Sequence, residues 1–471
     1  MTRQTKVMPS LGEAIRQSGL RDGMTISFHH HLREGDRVLN SVLAECSVLG
    51  LKDLTVNASA LMGCHRSILD FVRDGTVTGI ECNFMHAQIG QAISRGALER
   101  EVVFRSHGGR PAAMDRGESH IDVAFIAASA ADAAGNCNGK QGNAAFGSIG
   151  YAMPDAEHAQ YVVVVTDQLF EYPLIDASIS EESVDAVVVI DSIGDPLRIM
   201  SGTTRVTRDP IGLLIAEQAA KAIGASGLLR DGFTFQTGAG GTSLAVAQYL
   251  GEIMREQGIV GRFASGGITG LLVNLLREGL FETLLDVQCF DREAVLSIGE
   301  DARHGEISAT RYASPAAKSS VVDHLDVVIL GATEIDTDFN VNVHTDSNGV
   351  IMGGSGGHSD TAAGAKLSII VAPIMRARMP LIVDRVGTIS TPGEDIDLLV
   401  TQYGLACNPR RSELASRLER AGLPIVSIHD LKAKAESITG VPTRFTHMGR
   451  AVARVISRDG MLLDTIAMIE D

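Results

Sequence analysis

Two glycine-rich turns carry the residue types in this chain best suited to chemistry. The first, GAGGTS (238–243), follows the β-branched run FTFQT and precedes the helical segment SLAVAQYLGEIM. A strand, a glycine turn and a helix N-terminus together offer unbonded N–H groups and a positive dipole end to an anion. Gly238, Gly240 and Gly241 are therefore candidates for stabilising a developing oxyanion, with Thr242 or Ser243 expected to cap the helix. The spacing is neither the Rossmann nor the Walker fingerprint, so a nucleotide is not implied. An ordinary tight turn is the plainer reading. The corresponding place in the first half, HHHLREGD (29–36), lacks the glycines, and that asymmetry favours function.

The second turn is GGSGGHSD (353–360). Backbone without side chains can close on a narrow group such as a pantetheine arm, which makes Gly353, Gly354, Ser355, Gly356, Gly357 and His358 candidate binding residues. A flexible hairpin loop is the alternative. A Ser355–His358–Asp360 triad is rejected, because the three lie too close along one loop and no nucleophile elbow is present. Arg66 in CHR (64–66), with His107 and Arg110 in SHGGR (106–110), are candidates for binding a carboxylate, with plain surface loops as the equal alternative. Glu334, Asp336 and Asp338 alternate along ATEIDTDFNVN and share one side of an extended segment. Turn hydrogen bonding explains them better than a metal does. Of His29, His30 and His31, at most two can share a strand face. No metal site is expected. The six cysteines show no paired or zinc spacing and read as buried, reduced thiols.

The elements that position these turns are short apolar strands: TVTGI (76–80), DVAFIA (122–127), YVVVVT (161–166), AVVVID (186–191), DVVILG (326–331) and LSIIVA (367–372). Amphipathic helices alternate with them, the pattern of a parallel sheet covered on both faces. The class is α/β. HIDVAFIAASAADAAGNCN from His120 is echoed by HLDVVILGATEIDTDFNVN from His324, each pair of equivalent residues lying 204 apart. Upstream, GLRDGMTISFHH is echoed by LLRDGFTFQTGAGG, with Arg21 and Arg230 209 residues apart. The chain reads as two copies of one domain. The joint is placed near 205–225, where Asp209 caps and Pro210 begins a helix, giving domains 1–210 and 211–471. Two like domains face each other across a cleft, a common ligand site.

A formal charge of −16 with no basic block, and 4% aromatic residues, argue against nucleic acid as a partner. The N-terminal segment has no signal-peptide core, and no apolar run approaches a membrane span. A cytoplasmic protein without membrane contact is expected.

The segments GLRDGMTISFHH, LDVQCFD, EISATRYA, LDVVILGATEIDTDFNVNV, GGSGGH and LSIIVAPI closely resemble the citrate lyase alpha subunits, from about residue 8 to the C-terminus. That resemblance places the chain among the CoA-transferases and implies two CoA-transferase-like (NagB/RpiA-like) domains with the active site between them. In that family the acetate and succinyl-type enzymes attack a thioester with a glutamate. Here Gly267, in FASGGITG, stands at that position beside Gly266, and glycine cannot form an acyl-enzyme. The implied reaction exchanges acetate for citrate on the thioester of an acyl-carrier protein, through a mixed anhydride and without a glutamyl intermediate. Gly266 and Gly267 join the thioester-arm contacts on this reading, and Glu334 and Asn342 order the site. No cofactor is bound directly. The arm is a CoA-derived prosthetic group on the carrier (gamma) subunit, or acetyl-CoA, and the other partners are a citryl lyase (beta) subunit and citrate in a hetero-oligomer. Two alternatives stay open: a stand-alone, glutamate-dependent CoA-transferase, and a non-catalytic small-molecule binding module.

Overall fold

The computed structural model describes residues 5–200, 204–442 and 449–469. Two mostly parallel sheets organise it. The first runs, in spatial order, Val7–Met8, Ala186–Val189, Tyr161–Thr166, Val123–Ala128, Thr25–Phe28, Leu54–Ala58, Val77–Cys82, Val102–Phe104, Ala451–Ile456 and Leu462–Ala467. The second runs His304–Glu306, Phe281–Cys289, Gly261–Ile268, Thr234–Thr237, Val327–Leu330, Leu367–Val371, Leu398–Thr401 and Gly404–Cys407. The central strands are apolar on both faces and fully buried, as in 123–128 and 327–330, because helices cover the sheets on either side.

The two sheets share one strand order. From Val102–Phe104 inward to Ala186–Val189, the first matches the second from His304–Glu306 to Leu398–Thr401. The sequence repeat acquires a physical meaning here. Asp122 accepts the Thr25 amide at 2.7 Å, and Asp326 accepts that of Thr234 at 3.0 Å, so each aspartate pins the start of its neighbouring strand. Asp132 and Asp336 each close a hairpin by accepting amides up to four residues on, with Asn136 and Asn340 donating back. Asp132 and Asp336 thus serve turns, the role read for Asp336 from its type.

Helix Pro210–Ser226 begins at the expected joint, with the Asp209 carboxylate accepting the Gly212 amide at 2.9 Å and Gly227 ending it at φ 83°. The chain then crosses back. Strand Ala451–Ile456, on the far side of the 210/211 boundary, pairs with Val102–Phe104 in the first sheet, and Leu462–Ala467 pairs with it in turn as the sheet's edge. Among the described residues no helix is long and apolar enough to cross a membrane.

Candidate active site

In the second sheet, Thr234–Thr237 is flanked by Gly261–Ile268, which follows it in the chain, and by Val327–Leu330, which arrives later from the other side. Strand order reverses there, and the loops beyond the carboxyl ends part to leave a crevice. A cavity of about 520 Å³ occupies that place. Its walls include Gly238–Ser243, Gly267, Leu330–Thr333, Gly354–His358 and Arg376 from the second half, and His107 and Tyr151 from the first. The two glycine turns, far apart in sequence, meet across one cavity.

Helix Gly241–Gln257 points its N-terminus into the cleft. Its N-cap is Gly240, which makes no side-chain capping bond, so neither Thr242 nor Ser243 caps it as expected. The first amides of a 17-residue helix are left facing the cavity. A Cβ on Gly241 would stand 2.8 Å from the Arg205 carbonyl oxygen, whereas one on Gly240 would meet nothing nearer than 3.8 Å.

The second turn docks as much as it lines. Side chains at Gly353 and Gly354 would strike the carbonyl oxygens of Val343 and Asn83 at 2.3 Å, and one at Gly357 the Tyr312 hydroxyl at 2.6 Å. Gly354 lets the loop lie flush against the first half, while Gly353 and Gly357 fit it to Val343 and Tyr312 of its own half. At the same junction Gly356 donates to Asn83 (3.1 Å) and accepts from the His107 amide (2.7 Å). His358 is fixed through both ring nitrogens, by the Gly331 carbonyl at 2.9 Å and Thr391 Oγ1 at 2.8 Å. Burial lowers its pKa to about 4, so the ring is neutral. Ser355 bonds Ser359, and Asp360 bonds Ser106 and the Gly108 amide, so no Ser–His–Asp relay forms.

His107 reaches the cavity from the first half with its ring 4.2 Å from that of Tyr151. Burial, reinforced by Arg110, lowers its pKa to about 3. The buried Nδ1 has no hydrogen-bond partner among the described residues. Behind it, His30 stacks on both rings at 5.9 and 5.1 Å. His29 and His31 do share a side, their Nδ1 atoms 2.7 Å apart.

Other expected residues lie elsewhere. Arg110 is buried, its guanidinium held by both carboxylate oxygens of Asp155 (2.5 and 2.9 Å) and by Asn57 Oδ1 (2.6 Å). It orders the helix behind His107 and does not face the cavity. Arg66 is exposed at the end of a short 3-10 turn, outside the lining. Glu334 and Asn342 also lie outside it. Asn342 donates to Glu334 at 3.1 Å and accepts the amides of His344 and Thr345. Asn138, its counterpart in the first half, accepts the amides of Lys140 and Gln141 the same way, so Asn342 holds a turn. Gly353 is absent from the wall too, as is Gly266, at φ 100°, which gives room to the Gln236 amide behind it. Gly267 does line the cavity, and the Phe290 ring fills the space a side chain there would need, 2.1 Å from an added Cβ. The cysteines are unpaired and four of the six are buried. Cys289 and His304 both bond Asp286 Oδ2, at 3.0 and 2.9 Å, a convergence that the spacing did not signal. Tyr151, Gln236, Phe290, Tyr312 and Arg376 are wall residues that motif reading missed. Gln236 was accessible in principle, as the long polar residue of FTFQT next to the glycine turn.

Two like-ordered α/β sheets with a glycine-lined cleft at a strand-order reversal give the chain a CoA-transferase-like fold. The chain belongs to the citrate lyase alpha subunit family, whose sequence model matches residues 4–469. It is 46% identical to the citrate lyase alpha chain of Klebsiella pneumoniae over 469 residues, covering 100% of this chain and 92% of that one. To the citrate lyase alpha chain of Escherichia coli (strain K12) it is 47% identical with the same coverage. A solved structure of the alpha subunit of citrate lyase from Streptococcus mutans, in complex with citrate, superposes with a TM-score of 0.97 at 46% identity over 100% of this chain and 92% of that one. The malonate decarboxylase alpha subunit of Acinetobacter baumannii shares the fold at 17% identity, with a TM-score of 0.68 over 93% of each chain. The chain is thus an enzyme component, the transferase part of citrate lyase.

Proposed function

We propose that this chain exchanges acetate for citrate on a thioester carried by a small acyl-carrier subunit, and passes the citryl thioester to a separate lyase subunit. One observation carries the reading: among the described residues lining the cleft there is no carboxylate and no thiol. A glutamyl or cysteinyl acyl-enzyme therefore has no side chain to form on there, and Phe290 fills the space beside Gly267, where the resemblance puts the glutamate of related enzymes. This supports a reading in which the acceptor attacks the thioester itself.

In the proposed sequence, a citrate carboxylate oxygen adds to the acetyl carbonyl carbon and the thiolate leaves, giving a mixed anhydride. The thiolate then adds to the citryl carbonyl and acetate leaves. Each addition places negative charge on a carbonyl oxygen. The uncapped amides beside Gly240 and Gly241 are suited to receive it, and an oxyanion donor contributes about 3–4 kcal/mol. Alignment of the two reactants supplies a further ~7–11 kcal/mol. The neutral rings of His107 and His358 add polarity without a competing charge. Arg376, the one guanidinium among the described lining residues, suits a second carboxylate of the acceptor. Gly354–Gly357 form the opposite wall, along which the thioester arm is proposed to lie.

The test mixes the chain with acetyl-CoA or acetylated carrier and citrate, and follows citryl thioester by mass spectrometry. Formation of citryl thioester and acetate, with no adduct trapped by borohydride, is the expected result. A borohydride-trapped glutamyl adduct would establish the glutamate-dependent alternative. No turnover, even with the carrier present, would leave a binding module.

A further inference from the structure

The cleft lining holds a second oriented donor. Tyr312 lies on the short helix Ala309–Ala313, which Ser308 caps and whose Ala309 amide bonds the Gly150 carbonyl of the first half at 2.8 Å. The residue is 2% exposed, yet it lines the cleft. Its phenol oxygen accepts a hydrogen bond of 2.6 Å from Gln236 Nε2, and Gln236 Oε1 accepts one of 3.1 Å from Ser265 Oγ. The three side chains form a directed chain from Ser265 to Gln236 to Tyr312. With the amide so turned, the phenol oxygen is an acceptor and its own proton remains to be donated. The reversed amide would instead turn phenol lone pairs toward a site that gathers negative charge.

The local sequence keeps this arrangement open. Gly266 leaves room for the Gln236 amide, since a Cβ there would stand 2.7 Å from Nε2. Gly357 lets the second glycine turn lie against the hydroxyl, 2.6 Å from an added Cβ. Burial raises the phenol pKa well above its usual value, so the proton is present throughout the working range. Buried donors polarised by a chain of hydrogen bonds are stronger than isolated ones.

We infer that Tyr312 is a catalytic residue of the thioester exchange, its hydroxyl donating to the carbonyl oxygen as the tetrahedral adduct forms, with Gln236 and Ser265 as positioning residues. The inference rests on the transfer reaction proposed above. No covalent bond to the phenol forms or breaks, and its proton stays on the oxygen.

The test is Tyr312→Phe, which removes one oxygen and keeps the ring. The expected result is a kcat lower by about 100- to 1000-fold, the range for losing one oxyanion donor, with KM for citrate and the thermal midpoint little changed. Gln236→Met, which frees the phenol from its orienting partner, should give a smaller loss of kcat. A Tyr312→Phe enzyme within threefold of wild-type kcat, or one altered only in KM, would overturn the assignment while leaving the transfer reaction standing. A wild-type chain that transfers nothing would overturn both.

Discussion

A carboxylate-rich acceptor entering a protein of net charge −16 needs a local counter-charge, and within the described cleft wall Arg376 is the guanidinium that can provide it. Arg376→Gln should raise KM for citrate at least tenfold, about the loss of one charge-assisted bond, while leaving KM for the acetyl donor near wild type. Steady-state kinetics with each substrate varied in turn decides this, and an effect confined to the donor would reassign the arginine to the thioester arm. Gly240→Asp probes the helix amides. The N-cap geometry there accepts a side chain, and an aspartate would turn its own carboxylate onto the amides. Stability should be unchanged or higher by a few tenths of a kcal/mol, yet transfer should fall at least 100-fold because the anion site is occupied from within. Retained transfer in that variant would detach the amides from the chemistry. The placing of the glycine turns was legible at this scale because their geometry is local: a strand, a turn and a helix start can be read from the chain alone. Arg110 was not, since Asp155, the partner that engages it, lies 45 residues on. Tyr312 was quoted within a motif and given no role, for its significance depends on Gln236, 76 residues away.

Elements couple the halves through the 106–110 turn and the 353–360 loop. Asp360 is fully buried between them, accepting Ser106 Oγ at 2.6 Å and the Gly108 amide at 2.8 Å. Burial raises its carboxyl pKa to about 6 against those bonds, with Arg458 lowering and Asp459 raising it more weakly. The folded state thus holds this proton more tightly than the unfolded chain. The stability it contributes is full below about pH 4 and is lost as pH rises through about 6. Asp395, raised to about 6 mainly by burial, acts in the same direction, so Asp360→Asn should reduce the pH dependence without abolishing it. The variant loses an acceptor for the Gly108 amide and starts from a constant deficit of about 1–3 kcal/mol. Relative to wild type, however, its stability should climb between pH 4 and pH 6.5 in denaturant titrations. A difference that stays flat across that interval would mean Asp360 does not titrate there. The repeat foretold the matching strand order at this scale, because the same aspartates pin the same strands in both halves. It could not foretell that Glu334 and Asn342 lie outside the cleft lining, since a hairpin's placement is set by what packs over it.

Across the whole molecule, the departure from the sequence reading is the chain's return to its first sheet, and it bears directly on how the cleft holds its shape. Nothing local in Ala451–Ile456 specifies a partner strand; the apolar alternation fits any edge. Once placed, the pair closes the Val102–Phe104 edge, buries Val452, Val455 and Ile466, and ties Arg450 to the carbonyl oxygens of Leu98 and Glu99. The same segment reaches the second half. Asp464 accepts the Ile389 amide at 2.9 Å, and Arg458 donates to the carbonyl of Ala313, the residue after Tyr312. It therefore clasps both halves beside the turn that carries His107. Deleting residues 449–471 would remove three buried apolar side chains, each contributing about 1.5–3 kcal/mol by its burial, and leave the Val102–Phe104 strand edge unpaired. The expected outcome is a lower-temperature unfolding step belonging to the first sheet, faster amide exchange at Val102–Phe104, and loss of transfer, with the second sheet melting near its wild-type temperature. Calorimetry with hydrogen exchange resolves these. Uniform destabilisation of both sheets, or a truncated chain that still transfers at full rate, would show that the cleft is held by the direct bonds between its loops and does not depend on the returning strands.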